Sequence, residues 1–313
     1  MNEVSVIYVV GAGRSGSTVL DTMLGNHAQI VSVGELSNGP RAWSNVDQSC
    51  ACGAIADDCD FWNHVRQEWE ALTPDLPKGD DWIELQNSFE RIRSLRDTMR
   101  QGREQSERFK QYATGILALY KAILKVSGKA IVLDSSKNPA RAIALSYVAG
   151  LNLRVLHLVR DGRGVAWSFK KSFSKDPNKG IEKDMSGKPL MRTIRYWLAV
   201  NIISEFATSM EGVLASAFVN YEQFVLTPAM MFKKLGDSFD MNFDELVHAL
   251  DTESDFHVGH TIAGNRLRME GKIKLNPDFV WKEKLSGTEK MIFWLCAGLL
   301  AKRYGYSYSG FSV

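Results

Sequence analysis

A glycine-rich loop near the N-terminus carries the clearest chemical signal in the sequence. Residues 11–18 read GAGRSGST; they follow the β-branched run 4–10 and precede an apolar segment, 17–26, whose pattern predicts a helix. The glycine spacing is that of a phosphate-binding loop, G-x4-G-K-[ST], except that Ser17 stands at the lysine position. Backbone N–H groups that converge at a helix N-terminus favour anions. We therefore predict a phosphate site in which Arg14 supplies positive charge, and the missing lysine argues against magnesium-dependent hydrolysis of ATP or GTP.

A second anion site is predicted where another strand ends. Residues 153–159 form an apolar run that ends at Arg160, and the following helical segment carries Ser168. Ligands of parallel sheets bind at the carboxyl ends of the strands, so the guanidinium and the hydroxyl are placed to converge on one phosphate. The alternative is that the Arg160–Asp161 pair only caps or braces the helix start.

Each of the two predicted anion sites lies where a strand passes into a helix, and strands and helices alternate along the chain. Alternation of this kind predicts an α/β fold, a central parallel sheet flanked by helices, carried by a single domain over residues 1–313. Two segments stand outside the order: a helical insertion at 81–127, expected to be a hairpin broken near Gly102, and a polar stretch at 173–189, expected to be a mobile lid. The predicted strands are 4–10, 130–133, 153–159 and 212–220, and the predicted helices are 17–26, 139–149, 162–172, 191–210 and 286–304, the last with an apolar stripe of Ile292, Leu295, Leu299 and Leu300.

Several segments together resemble the sulfotransferase family. The loop Gly13-Arg14-Ser15-Gly16-Ser17-Thr18 resembles that family's 5′-phosphosulfate loop, and residues 158–168 (LVRDGRGVAWS) look like its 3′-phosphate motif. Residues 50–53 (CACG) with 59–62 (CDFW), 133–137 (LDSSK) and 260–268 (HTIAGNRLR) are similar to features of bacterial-type members. The matches run from residue 6 to about residue 305. The resemblance implies the donor 3′-phosphoadenosine 5′-phosphosulfate (PAPS), the product 3′-phosphoadenosine 5′-phosphate (PAP), no metal and one α/β domain.

The same resemblance implies which residues hold the donor. Ser17 and Thr18 would contact phosphate oxygens. Arg266 occupies a position that is often proline in relatives, so Arg268 is the preferred arginine of its segment. The full donor-binding set implied is Gly13, Arg14, Ser15, Gly16, Ser17, Thr18, Arg160, Ser168, Asn265, Arg266 and Arg268.

Transfer to a hydroxyl also requires a general base and charge stabilisation of the leaving phosphate. Glu35 looks like the base of the protein-tyrosine branch of the family, and His260 is similar to a histidine of domains that act on acyl carriers. Both stay open: Glu35 could instead pair with Arg14 or Arg41, and His260 could be structural. Lys137, after the second predicted strand, and Arg14 are the candidates for stabilising the leaving group.

The four cysteines predict reduced thiols rather than a metal site. Cys50, Cys52 and Cys59 cluster, whereas Cys296 lies alone in an apolar helical segment. A zinc site usually has Cys-x2-Cys spacing and four ligands, and this cluster offers Cys-x-Cys and one further cysteine. His157 lies inside an apolar strand and is expected to be buried, and Trp43, Trp62, Trp167 and Trp197 are expected in the core more than in an acceptor pocket.

Charge and hydropathy exclude other classes of protein. The 38 basic and 36 acidic residues of the 313-residue chain give no nucleic-acid signature. The longest apolar run, 292–301, is about half of the ~20 residues that a membrane span requires. No secretory leader is recognisable, so a cytoplasmic location is expected.

One arginine group at spacings of three, four and three predicts a shared helix face, either solvated or docking an acidic partner: Arg93, Arg96, Arg100 and Arg103.

The sequence thus predicts a PAPS-dependent sulfotransferase that acts on a hydroxyl acceptor: a small molecule, a lipid, a carbohydrate or a carrier-bound acyl chain. One alternative is a nucleotide-dependent kinase built on the same loop, which would require magnesium and a lysine where Ser17 stands. The other is an inactive protein that binds the nucleotide without turnover.

Overall fold

A parallel β-sheet forms the centre of the molecule. The computed structural model describes residues 3–43, 48–176, 181, 184–252, 254–264, 266–273 and 275–311. Within them, five strands pair in the order β2-β3-β1-β4-β5, all parallel, and two short antiparallel pairs, β6-β7 and β8-β9, stand apart. The strands are β1 (Val4–Val10), β2 (Ile30–Ser32), β3 (Ile131–Lys137), β4 (Leu151–Val159), β5 (Val213–Asn220), β6 (Phe256–His257), β7 (Lys272–Ile273), β8 (Tyr306–Ser307) and β9 (Gly310–Phe311).

Helices cover both faces of this sheet, so the predicted α/β architecture is confirmed. The α-helices are α1 (Ser17–Gly25), α2 (Gly39–Ala42), α3 (Asp60–Leu72), α4 (Gly79–Phe89), α5 (Leu95–Glu104), α6 (Glu107–Ser127), α7 (Pro139–Leu145), α8 (Gly162–Lys170), α9 (Leu190–Thr208), α10 (Tyr221–Leu226), α11 (Pro228–Phe239), α12 (Asp244–Asp251), α13 (Trp281–Lys284) and α14 (Gly287–Arg303). Within the described residues, no helix is long and apolar enough to cross a membrane.

The central strand explains why the core around the sheet has one half on each face, while a third cluster lies among α8, α9 and α14. Successive side chains of a strand point to opposite faces. Val6 and Tyr8 of β1 belong to the core half that packs against α3, α6 and α7, whereas Ile7 and Val9 belong to the half under α1 and α11. Because β1 is covered on both sides, it is apolar throughout, which is typical of a parallel sheet. Its carboxyl end lies between β3 and β4, where the loops that leave the sheet diverge and ligands bind.

The helical insertion differs from the predicted hairpin. It contains three helices, α4 to α6, and α3 precedes them. The chain turns at Gln105, whose φ is +50°, and not at Gly102. Gly102 lies inside α5, where a Cβ would come within 2.7 Å of the Tyr147 ring. The glycine therefore permits close helix packing and does not end the helix.

The apolar stripe predicted for the last helix is correct for Ile292 and Leu300, which pack against the core, and wrong for the other two leucines. Leu295 and Leu299 are 77% and 89% exposed. Phe293, Ala297 and Ala301 are buried instead, and the Phe293 ring lies 5.6 Å from that of Trp197 on α9. Ile292 and Leu300 pack at the edge of this contact, whereas Leu295 and Leu299 face outward.

The described part of the predicted lid is a paired ladder. Phe173 exchanges two backbone hydrogen bonds with Met185, and Asp176 exchanges two with Ile181. Residues 177–180 and 182–183 of the lid lie outside the described residues. The Arg14 guanidinium lies 3.8 Å from the sulfur of Met185. The ladder therefore adjoins residues 11–18, which we call the phosphate loop after their predicted role. Its mobility stays a prediction.

Candidate active site

The loop between β1 and α1 has a backbone that only glycine accommodates at two positions. At Gly11, φ is +137° and a Cβ would lie 2.2 Å from the carbonyl oxygen of Leu158. At Gly16, φ is +86° and a Cβ would lie 2.3 Å from the ring of Tyr221. These glycines let the loop pass against β4 and α10 before helix α1 begins at Ser17. The loop therefore leads directly into the N-terminus of α1, and the anion site expected at this position stays a prediction.

Side chains of this loop also fit an anionic ligand. The hydroxyl oxygen of Ser15 is buried, and no hydrogen-bond partner for it occurs among the described residues. A buried polar atom of this kind usually has a partner, so a ligand oxygen is the natural one. Arg14 adopts the left-handed backbone region, with φ +70°. Partial burial lowers the pKa of Arg14, Glu35 opposes that shift and Arg266 reinforces it.

Arg160 lies directly beneath the phosphate loop. Its guanidinium donates to the backbone carbonyl of Arg14 at 3.1 Å and pairs with Asp278 at 3.0 Å. It also stacks over Tyr221, 4.6 Å from the ring centroid. The side chain is 6% exposed, yet its Nε has no partner within the described part of the chain. Ser168 is half-buried on α8, the helix that follows Arg160, as predicted.

A carboxylate and an ammonium group meet on the other side of the phosphate loop. The Lys137 ammonium donates to the Glu35 carboxylate at 2.6 Å and to the carbonyl of Ser135 at 3.1 Å. Both side chains are partly exposed, 14% and 22%. Lys137 ends β3 with a φ of +63°, a strained conformation that is typical of functional positions.

Neighbouring segments hold Glu35 in place. Its backbone N–H donates to the carbonyl of Ile262 at 3.0 Å. The Ser136 hydroxyl accepts from the N–H of Ser37 at 2.9 Å, which joins the Glu35 loop to β3. A Cβ at Gly264 would lie 3.6 Å from both a Glu35 carboxylate oxygen and the Thr18 hydroxyl. The phosphate loop, Glu35 and the 260–264 segment therefore line one site.

The arginines of the last predicted motif occupy different environments. Arg266 is exposed, and its guanidinium lies over the ring of Phe173, 5.4 Å from the centroid. Arg268 is 1% exposed and donates to the carbonyl of Ser49 at 3.3 Å. Arg266 is therefore open to solvent and Arg268 is not, and the preference for Arg268 as a donor-binding residue stays a prediction. Asn265 lies outside the described residues.

His260 faces the cysteines. Its Nδ1 lies 3.3 Å from the sulfur of Cys59 and 3.8 Å from that of Cys50. The imidazole stacks on Phe61, with centroids 5.0 Å apart. Partial burial lowers the pKa of His260. Sequence reasoning missed this group because 201 residues separate Cys59 from His260, and the two segments were connected only by the family resemblance.

The remaining aromatic residues and histidine follow the sequence-based expectation. Trp43, Trp62 and Trp197 are buried in the core, while Trp167 is half-buried. His157 is buried against Asn201, and burial lowers the pKa of His157 to about 4. Arg41 donates to Asn87 and not to Glu35.

The predicted arginine face is divided between two elements. Arg93 belongs to a 3-10 turn, Ile92–Ser94, and lines a 660 Å³ depression beside Glu90 and Asn138. The other three lie on α5 around a 250 Å³ depression, where Arg100 pairs with Asp97 at 2.5 Å and Glu104 at 3.7 Å. The four arginines do not share one helix face because α5 begins only at Leu95.

The chain is an α/β protein whose central parallel strand leads through a glycine-rich loop into a helix. The profile of the sulfotransferase family matches residues 6–245. The chain belongs to the sulfotransferase family. No curated protein matches the sequence.

Solved structures give more distant similarities. The sulfotransferase domain from the curacin biosynthetic pathway is 15% identical, with a TM-score of 0.49 over 96% of this chain and 99% of that one. The sulfotransferase domain of the Synechococcus PCC 7002 olefin synthase is 16% identical, with a TM-score of 0.44 over 98% and 96% of the two chains. Sulfotransferase STF1 of Mycobacterium tuberculosis H37Rv is 14% identical, with a TM-score of 0.41 over 80% and 72%.

Proposed function

We propose that this protein transfers a sulfuryl group from PAPS to a hydroxyl acceptor in the cytoplasm. The observation that carries the proposal is the meeting of the phosphate loop with the Glu35–Lys137 pair at one end of the sheet. A sulfuryl group carries less charge than a γ-phosphoryl group, which fits a loop with Ser17 in place of lysine. The buried Ser15 hydroxyl and the loop N–H groups are suited to the 5′-phosphosulfate.

Arg160 and Ser168 would hold the 3′-phosphate of the donor. The guanidinium of Arg160 is held by the Arg14 carbonyl and Asp278, so it is already oriented before a ligand arrives. A charge-assisted hydrogen bond to phosphate is strong because the group on each side is ionised. Arg266, beside Arg14, adds a further positive charge to the same end of the site.

Glu35 is the general base in this proposal, and Lys137 and Arg14 stabilise charge on the leaving phosphate. The carboxylate and the Thr18 hydroxyl of the phosphate loop both border the space beside Gly264, where the transferred group would be presented. Lys137 orients the carboxylate and is long enough to reach the bridging oxygen of the donor. His260 is the weaker candidate, because its Nδ1 is directed at two cysteine sulfurs.

The role of Glu35 is tested with the variant Glu35→Gln. Glutamine keeps the shape of the side chain but accepts no proton, so we expect turnover to fall by roughly 10²–10⁴-fold while PAP affinity stays within a few fold. The assay measures PAP released from PAPS with a panel of acceptors: a phenol, a long-chain alcohol, a sugar and a hydroxyacyl thioester.

The matched control for this assay is Glu104→Gln, which removes an exposed carboxylate on α5. It should leave both turnover and affinity unchanged. Near-normal turnover of Glu35→Gln would show that the base is another residue.

A further inference from the structure

Four potential metal ligands converge beside the active site. The ligand atoms of Cys50, Cys52, Cys59 and His260 all lie within 4.8 Å of one another. The Cys52 and Cys59 sulfurs are 3.7 Å apart, and the His260 nitrogen lies 3.3 Å and 3.8 Å from two of the sulfurs. A tetrahedral zinc ion with Zn–S bonds of about 2.3 Å and Zn–N bonds of about 2.0 Å requires separations of about 3.8 Å and about 3.5 Å. These three distances lie within about 0.3 Å of the tetrahedral values, and every ligand separation is within 4.8 Å.

The backbone around the cysteines brings the sulfurs to one side. The N–H of Gly53 donates to the carbonyl of Cys50, and the N–H of Cys50 donates to the carbonyl of Ala54. Gly53 has a φ of +93°, so a tight turn places Cys50 and Cys52 together. Cys59 follows at the start of α3. The single residue between the first two cysteines is therefore compatible with a shared ion.

His260 reaches the turn through a small ladder of three segments. Ile262 bridges to Gly34 on one side and to Cys50 on the other. The N–H of Ala51 donates to the carbonyl of Thr261, and the indole of Trp62 donates to the carbonyl of His260. The imidazole is thus fixed against the thiols by backbone contacts that do not depend on an ion.

We propose that Cys50, Cys52, Cys59 and His260 form a structural Zn²⁺ site. Three sulfur ligands and one imidazole suit zinc, and four protein ligands leave no open position for a reacting group. The sequence-based expectation of no metal depended on the Cys-x-Cys spacing, on the lack of a fourth ligand and on the family resemblance, and His260 supplies the fourth ligand.

The site would tie the donor-binding segment to the rest of the protein. His260 begins the segment that continues through Ile262, the acceptor of the Glu35 N–H, to Gly264 and Arg266. The other three ligands lie in the turn before α3 and at the start of that helix. Zinc would therefore fix the wall of the active site without touching substrate.

The experiment measures zinc in the purified protein by elemental mass spectrometry, after purification with a reductant and without chelators. We expect about one zinc per chain. Replacement by Co²⁺ should give the thiolate-to-metal charge-transfer and ligand-field absorption of a tetrahedral site. Wild-type protein that binds neither metal after reconstitution would overturn the proposal. So would a Cys52–Cys59 disulfide found by mass spectrometry in protein isolated from the reducing cytoplasm.

Variants assign the ligands. Cys59→Ser and His260→Ala should lose stoichiometric zinc, while Cys296→Ser, which removes an exposed cysteine outside the cluster, should retain it. Cys52 is exposed, so Cys52→Ser is the variant expected to fold, with zinc released more readily to a chromophoric chelator. Unchanged zinc affinity in folded Cys52→Ser would exclude this ligand set. Metal content is read without PAPS, so this result is independent of the proposed reaction.

Discussion

Strand β3 carries two ion pairs three residues apart, and they differ in how far they are closed from solvent. Asp134 is fully buried and pairs with Arg141, which also contacts Glu90. Lys137 pairs with Glu35 at the open end of the same strand, where both side chains are partly exposed. The first pair connects the sheet to the helical insertion, and the second lies beside the phosphate loop.

The two ion pairs also differ in their hydrogen bonding. Tyr120 donates to Asp134 at 2.9 Å, and Tyr112 donates to Glu90 at 3.0 Å, so the buried carboxylates are surrounded by donors. The Lys137 ammonium and the Glu35 carboxylate keep capacity for a ligand, because they are partly exposed at the site. Burial and satisfied hydrogen bonds suit the Asp134–Arg141 pair to a structural role, whereas partial exposure beside the proposed anion site suits the Glu35–Lys137 pair to the proposed catalytic role.

The largest effect is expected from Arg141→Ala. Its removal leaves the carboxylates of Glu90 and Asp134 buried without their cation, which typically costs about 3–5 kcal/mol of unfolding free energy. Urea unfolding of the variant and the wild type measures this difference. The remaining folded fraction should still bind PAP. A loss of less than about 1 kcal/mol of unfolding free energy, the range of exposed pairs, would show that the buried pair stabilises the fold no more than an exposed pair does.

Arg160 combines features of both pairs, since it is buried like Arg141 but faces the site. A charge-assisted contact to phosphate is worth roughly 1.5–3 kcal/mol, so Arg160→Ala should weaken PAP binding about ten- to a hundredfold. Calorimetric titration with PAP and with adenosine 5′-phosphosulfate, which lacks the 3′-phosphate, provides the comparison. Binding of the second ligand should hardly change. Equal losses for both ligands would make Arg160 a structural residue.

Asp21 of α1 interacts electrostatically with Asp134 and Lys137, one member of each pair, and makes the stability of the fold depend on pH. Burial raises the pKa of Asp21 to about 7, although Ser32, Ser135 and Lys137 oppose the shift and Asp134 adds to it. The folded chain then keeps a proton that the unfolded chain releases near its ordinary value of about 4. Stability from this group therefore falls as pH rises from about 4 to about 7.

The variant Asp21→Asn isolates that dependence on pH. Asparagine does not titrate, so the stability of the variant relative to wild type should increase over this interval and level off above about pH 7. Urea midpoints at several pH values test this. Burial also raises the pKa of Glu222 to about 7, but Glu222 is present in both proteins, so its contribution cancels in the difference. A constant difference between the proteins would contradict the assignment.

The smallest effect on stability is expected from Lys137→Met. The pair with Glu35 is partly exposed, and such pairs contribute about 0–1 kcal/mol. Turnover should nevertheless fall, because the positive charge next to the leaving group is lost. Measuring the unfolding free energy and PAP release in the same preparation separates the two effects. A variant as unstable as Arg141→Ala would place Lys137 among the structural residues.

Local patterns predicted the parts of the molecule that lie close in sequence. The run 4–10, the loop after it and the strands ending near Arg160 and Asn220 follow from hydrophobic periodicity and glycine spacing. β2 is only three residues long and was missed, and β3 continues four residues beyond the predicted 133 because its polar end is buried by tertiary contacts. The cluster around His260 could not be predicted from spacing, since its members meet only in the folded chain.

The most direct test of the central claim compares nucleotides in a thermal-shift experiment. A ligand that binds only the folded state raises its stability by mass action. If the two proposed phosphate sites, at the loop after β1 and at Arg160, are correct, PAP raises the melting temperature clearly and ATP with magnesium does so much less. Stabilisation by ATP with magnesium equal to or greater than that by PAP would contradict the assignment of this chain to PAPS-dependent sulfuryl transfer.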